Sequence, residues 1–227
     1  MKKALLLGVA AAAVAAATGA WAAGPAVHSP QGKAHSPRHA PGVANVLYDQ
    51  NGTDSGLGIV SQNFESSFDA YDAEAADDFT VTEGSKWIIR EVDVSGVYFN
   101  GSGPASSVNV TFYNHVVGRK GKRSTPGTVR KAYSAVVPAI DNFGSFAITL
   151  PNAIRLKPGN WWVSVQANLD FFAGGEWGWE NQTTAVGNPA VWRNAGGGFT
   201  TGCNNWGQEN VCIADGQGDH MFTLRGK

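Results

Sequence analysis

The chain has 227 residues, with 17 basic and 18 acidic side chains, 29 glycines, eight tryptophans and two cysteines. So even a balance of charge sets up no global field, which excludes a generally basic nucleic-acid binder, and sparse charge with abundant Gly suits a turn-rich all-β protein. The sequence also lacks a P-loop, a G-x-S-x-G elbow and an H-E-x-x-H pair, which excludes three common catalytic scaffolds.

Lys2 and Lys3 precede an apolar run over residues 4–17, which ends in Ala20-Trp21-Ala22. A positive start, a short apolar run and an A-x-A site in that order predict a signal peptide over residues 1–23, cleaved after Ala22 or Ala23. A retained N-terminal anchor is the alternative. The run is too short and too Ala-rich for a convincing span, so no membrane span is expected after cleavage. The expected product is exported, extracellular or periplasmic, and has about 205 residues, enough for one well-packed β domain. Without Lys2 and Lys3 it carries 15 basic and 18 acidic side chains, and seven tryptophans remain after Trp21.

Residues 24–44 are rich in Pro, His, Ser, Gly and Ala, and contain His-Ser-Pro twice, at His28 and His35. Without apolar periodicity they read as a flexible linker. His28, His35 and His39 fit no defined metal spacing.

From Asn45 to the end the apolar period is two, which predicts a single domain over residues 45–227. Strands are expected over residues 45–48, 76–82, 87–98, 107–114, 131–137, 145–150, 161–168, 175–180 and 219–225. Turns at Asn51-Gly52, Asn100-Gly101, Pro126-Gly127 and Pro158-Gly159 separate several of them. Many short strands without a long helix argue for an antiparallel β-sandwich, jelly-roll-like in type. Alternation sends Val108, Val110, Phe112, Phe146, Ile148, Leu150, Phe222 and Leu224 to the core.

Four segments stand out: Ala76-Asp77-Asp78-Phe79-Thr80-Val81, Pro158-Gly159-Asn160-Trp161-Trp162-Val163-Ser164-Val165, Trp177-Gly178-Trp179 and Asp219-His220-Met221-Phe222-Thr223-Leu224. Together they resemble a family of secreted bacterial β-sandwich proteins with an ADDF strand, a PG-x-YWVSV strand and a D-x-x-F-x-L final strand. The resemblance spans residues 45–227 and implies a jelly-roll-like fold in an exported protein, with no activity to transfer. This chain departs from it in the basic loop before Pro126-Gly127.

Cys203 and Cys212 are the only cysteines, and in an exported protein they are expected to form a disulfide worth about 2.7 kcal/mol in the chain-entropy model. On residues 161–168 alternation separates Trp161, Val163, Val165 and Ala167 from Trp162, Ser164, Gln166 and Asn168. The second set suits a sugar, whose apolar face lies on an indole while amides bond its hydroxyls. Trp177, Trp179 and Trp192 would extend that platform, because seven tryptophans are more than one core needs. The alternative is that they fill the core.

Arg119, Lys120, Lys122, Arg123, Arg130 and Lys131 form a basic segment suited to an anionic polymer, or simply to water. Asp49, Asn51 and Asp54, with Asp77 and Asp219 at strand starts, are candidate ligands for structural calcium, with Asx turns the simpler account. Glu176 and Glu180 are the most plausible glycosidase pair, but four residues of strand span about 13 Å, whereas retaining pairs sit roughly 5 to 5.5 Å apart and inverting pairs roughly 6.5 to 9.5 Å. His220 is expected as a core or rim histidine. The leading expectation is an exported, non-catalytic binding or adhesion module that recognises polysaccharide or another cell-surface glycan through an aromatic face. A jelly-roll glycoside hydrolase and a purely structural surface protein are the alternatives.

Overall fold

The computed structural model describes residues 24–28, 44–119, 123–216 and 218–227. The expected signal peptide and residues 29–43 of the expected linker lie outside them.

β1 (Ala26–His28) and β2 (Asn45–Gln50) are followed, after the Asn51-Gly52 turn, by β3 (Asp54–Val60) and β4 (Gln62–Asn63). β1 falls inside the segment read as flexible, yet it pairs antiparallel with β3, Val27 opposite Gly58. A 3-10 helix over Ser66–Tyr71 leads to β5 (Ala73–Val81), β6 (Trp87–Val94) and β7 (Gly96–Phe99). Next come β8 (Ser107–Val116), β9 (Thr125–Val136), β10 (Ile140–Asn142), β11 (Ser145–Leu156) and β12 (Gly159–Asn168). A helical turn, α1 (Phe171–Gly174), precedes β13 (Glu176–Gln182), β14 (Val191–Asn194) and β15 (Gly207–Gln208). The chain closes with α2 (Glu209–Cys212), β16 (Asp219–His220) and β17 (Phe222–Gly226).

These strands form three sheets. The first runs β1-β3-β13, with β7 and β16 along the far edge of β13. The second runs β10-β11-β6-β17-β2 and the third β15-β14-β5-β12-β8-β9. Every pairing is antiparallel except the two-residue contact of β4 with β12. The all-β, antiparallel sandwich expected from the period-two pattern is the fold observed.

Strands turn corners by changing sheet, a device that lets stacked layers share a chain. Between β6 and β7 the chain passes Ser95, and between β16 and β17 it passes Met221; the Ser95 N–H donates to the Met221 carbonyl at 3.2 Å, so the chain crosses from the second sheet to the first and later back again at one corner. Ser61 makes a second corner between β3 and β4, its hydroxyl donating to Val165 O at 2.6 Å and accepting from Ala75 N at 3.1 Å.

The main core joins Val92, Val94, Phe146, Ile148, Phe222 and Leu224 of the second sheet to Phe79, Val108, Val110, Phe112, Val163 and Val165 of the third. Phe79 lies at its centre, edge-on to Phe112 and to Phe222. All the residues that alternation sent to the core are buried. Two connections cross between these sheets at one end of the sandwich: residues 82–86, from β5 to β6, and residues 157–158, from β11 to β12. That end stays open, and it positions the cleft described next.

Candidate functional site

The aromatic face expected around Trp162 is not at the surface. Trp162, Trp177, Trp179 and Trp192 are all fully buried, so the platform they were expected to form is corrected to packing. Alternation does place Trp162 on the outer side of the third sheet. That side is covered, however: Trp162 packs with Ala76, Tyr113 and Val191, and Trp206 from the β14–β15 loop lies edge-on to Tyr113. The other three belong to the main core and donate their indole N–H groups to backbone carbonyls, Trp177 to Gly144, Trp179 to Met221 and Trp192 to Val60, at 2.7 to 3.0 Å. Buried indoles with satisfied N–H groups are structural. Three sheets and a covered outer face create more interior than one sandwich core, and this is where the surplus indoles go.

Gln166 and Asn168 are half-buried and tied into cross-strand bonds. Asn109 Nδ2 donates to Gln166 Oε1 at 3.2 Å and to Asn168 Oδ1 at 3.0 Å, while Asn168 Nδ2 donates to Ser107 Oγ at 2.9 Å. Gln166 Nε2 is used by Ala73 O. Their polar groups bond the protein, as an amide ladder between β8 and β12.

A different pair of indoles opens to solvent. Trp87 is the first residue of β6 and Trp161 the third of β12, so each sits where its strand enters the open end of the sandwich. Trp161 points inward with Val163, as alternation predicts, but its position near the strand start leaves it partly exposed at the mouth. Trp87, opposite Leu156, stacks parallel to buried Phe79 at 6.1 Å, and Trp161 lies opposite Phe79 on the neighbouring strand. The Trp161 N–H donates to Lys157 O at 3.0 Å. Both rings are therefore held by the scaffold before any ligand arrives.

These two indoles line a cleft of about 650 Å³, together with Ile88, Leu156 and four cations: Lys86, Arg130, Arg155 and Lys157. Arg130 is the extra residue of a β-bulge, since Lys131 pairs with Phe112 and Val129 with Tyr113. Bulges re-aim side chains at sheet edges. All four cations are exposed, and among the described residues none makes a salt bridge. No carboxylate is among the lining residues. Among the described residues of the basic segment noted in the sequence, only Arg130 lines this cleft. Arg119 and Arg123 line a separate, more open hollow with His115 and Trp206, and Lys120 and Lys122 lie outside the described residues.

The proposed glycosidase pair is interior. Glu176 and Glu180 are both buried, away from the cleft lining. Burial pushes the Glu176 carboxyl up to about 7, opposed by the bond from Asn100 Nδ2 at 2.7 Å.

The candidate calcium ligands separate into two groups. Asp54 Oδ1 accepts from Gly56 N at 2.7 Å, the Asx-turn bond offered as the simpler account, while Asp49 Oδ1 accepts from Asn51 Nδ2 at 2.5 Å and, across the strand pair, from the Thr223 hydroxyl at 2.9 Å. Asp77 and Asp219 come together instead in a buried polar network. Asp77 accepts from Gln50 Nε2, His220 N and Asp78 N, each at 2.7 Å, while Asp219 accepts from Val186 N and Ala190 N. Burial, with the charge of Asp219, lifts Asp77 well above the usual carboxylate range; burial lifts Asp219 to about 6 against its backbone donors. His220 belongs to the same network: its Nε2 lies 2.8 Å from Glu209 Oε2, its Nδ1 bonds Asn181, and its ring stacks on Trp179 at 4.4 Å. It is a core histidine, as expected. Among the described residues no three His, Cys, Asp or Glu side chains are grouped to hold a metal ion.

Cys203 and Cys212 form the expected disulfide. It closes the loop that carries Trp206 over the third sheet. Comparison with protein-family models, curated proteins and solved structures finds no match for this chain.

Proposed function

We propose that this protein is an exported, non-catalytic module that binds a glycan in the Trp87–Trp161 cleft. The observation that carries the reading is a pair of partly exposed indoles, one from the second sheet and one from the third, held by Phe79 and by the Lys157 carbonyl around one concave opening. An indole plane covers the apolar C–H face of a sugar ring, and a preformed cleft of this size suits a small number of rings. Preorganised aromatic walls lose little freedom on binding, which favours affinity. Export is supported by the order of features in residues 1–23, and the disulfide is compatible with it.

Binding is tested by affinity electrophoresis and calorimetry of the full chain against a panel of soluble polysaccharides, with Trp161→Ala as the probe. Loss of roughly tenfold or more in affinity, with the cooperative folding transition retained, supports the cleft, since stacking on an aromatic side chain is worth about 0.5–1.5 kcal/mol beyond the area it buries. Sugar release on prolonged incubation points to the hydrolase reading instead. If no saccharide is retained, the protein is a structural surface component and the proposal fails.

A further inference from the structure

The cleft carries more charge than a neutral sugar needs. Four of its lining residues are cations and none is an acid, although the chain as a whole has one more acidic than basic side chain. Basic side chains that merely solubilise a surface are normally interspersed with acids. Here Lys86, Arg130, Arg155 and Lys157 come from four places in the sequence, β6's approach, the β9 bulge, the end of β11 and the turn after it, and converge on one opening. Like charges converging on one opening repel unless an anion joins them.

Resting on the reading of the cleft as a glycan site, we infer that its ligand is an anionic polysaccharide, one bearing carboxylate or sulfate on its sugar rings. A ring lying flat on an indole presents its substituents sideways, toward the rim where the cations stand. Arg130 and Arg155 supply planar forks that match carboxylate and sulfate in bidentate fashion, while Lys86 and Lys157 act as mobile point charges. Single-stranded nucleic acid also pairs stacking with charge, but it calls for a groove that tracks several successive phosphates. A single cleft of about 650 Å³ in a chain of net negative charge fits that poorly and fits a few charged sugars well.

The experiment uses the full chain and measures affinity for polygalacturonate, alginate and chondroitin sulfate at 50, 150 and 500 mM NaCl, beside fully methyl-esterified polygalacturonate, dextran and oligothymidine. The expected result is binding to at least one of the first three, about tenfold or more tighter than to the methyl ester or dextran, weakening steadily with salt. The carboxylated and sulfated arms distinguish the two sources of charge, and preference for either supports the inference. Arg130→Gln and Arg155→Gln, both exposed positions, are each expected to cost about tenfold on the anionic polymer with an unchanged melting temperature. Equal affinity for the methyl ester or dextran, or unchanged anionic binding in the paired arginine variant, overturns the inference and leaves the glycan cleft standing. Oligothymidine competing as well as the best polysaccharide overturns it in favour of a general polyanion site. Retention of nothing in the panel removes both the inference and the reading beneath it. The salt series on the unaltered chain needs no variant to fold.

Discussion

The indole N–H of Trp162 donates to Nδ1 of His115 at 3.0 Å, and the two rings lie 6.0 Å apart and within 12° of parallel. The bond satisfies the buried indole N–H through His115 Nδ1. With Tyr113, Val191 and Trp206 around it, Trp162 is the centre of a second small core outside the main one. Trp162→Ala removes that centre, and a buried tryptophan truncated to alanine costs about 3–5 kcal/mol, a fall in melting temperature of roughly 6–20 °C for a domain of this size. Polysaccharide affinity of the fraction still folded is expected to stay unchanged. Trp161→Ala is expected to do the reverse, losing ligand at a smaller cost in stability than Trp162→Ala, since its ring is only partly buried against the core. Denaturation and affinity measured on the two variants side by side give opposite patterns if Trp162 is structural; a loss of ligand with Trp162→Ala alone would contradict it.

The buried acids make stability depend on pH in a stated direction. Glu176 has a folded value of about 7 against an ordinary 4.5, and Asp219 about 6 against 3.8. Each folded carboxyl therefore holds its proton more tightly than the unfolded one. Their contribution is fully present below about pH 4 and is lost as pH rises through about 7, because in that window the unfolded chain ionises first. Glu176→Gln mimics the protonated form at every pH. Relative to the unaltered chain it is expected to gain about 2 kcal/mol at pH 8 and to show little difference at pH 4.5. Melting curves of both proteins from pH 4.5 to 8.5 check this, and a constant difference across the series would refute it.

How much of this was legible in the sequence depends on what alternation can say. It assigns each side chain to a side of its strand, and it did so correctly for Phe112, Ile148, Leu224 and even Trp162. It does not say whether that side is covered, which depends on a loop returning from Val191 to Cys212, far along the chain. β3 went unrecognised because Gly56 and Gly58 break its apolar run. Yet Gly58 is required there, since a Cβ on it would meet Val97 Cγ1 at 2.7 Å. The basic run from Arg119 to Lys131 drew attention by its density. The cleft instead takes one cation from that run and three from elsewhere, an arrangement visible only once two sheet-to-sheet crossings are placed at the same end.

The last strand is an integral part of the second sheet. β17 lies between β6 and β2, buries Phe222 and Leu224, and hands over to Lys227, whose backbone bonds Ile88 in both directions at 2.7 and 3.2 Å. Deleting residues 222–227 leaves β2 and β6 without the strand between them and opens the core beside Phe79. The truncated chain is expected to lose its cooperative transition and its near-ultraviolet circular dichroism. Leu224→Ala, a milder lesion, is expected to cost about 2–5 kcal/mol while remaining folded. A truncated chain that melts like the original would show that β17 is dispensable.

The disulfide is predicted to act locally. A Cβ on Gly207 would lie 2.6 Å from Cys212 Sγ and 2.9 Å from Cys203 Sγ, so the chain crosses directly over the sulfur pair and only glycine passes. The bridged loop carries Trp206, over which Arg193 stacks at 4.4 Å, and Glu209, which meets His220 in the interior. Replacing both cysteines by serine releases this loop, at a cost of about 2–3 kcal/mol for a closed loop of roughly ten residues. Trp206 would then be quenched more readily by iodide, while the cleft, built from β6, β9, β11 and β12, would keep its affinity. Calorimetry and quenching on the Cys203→Ser/Cys212→Ser variant separate the two effects. A drop in ligand affinity as large as the drop in stability would show instead that the loop and the cleft are coupled through the third sheet.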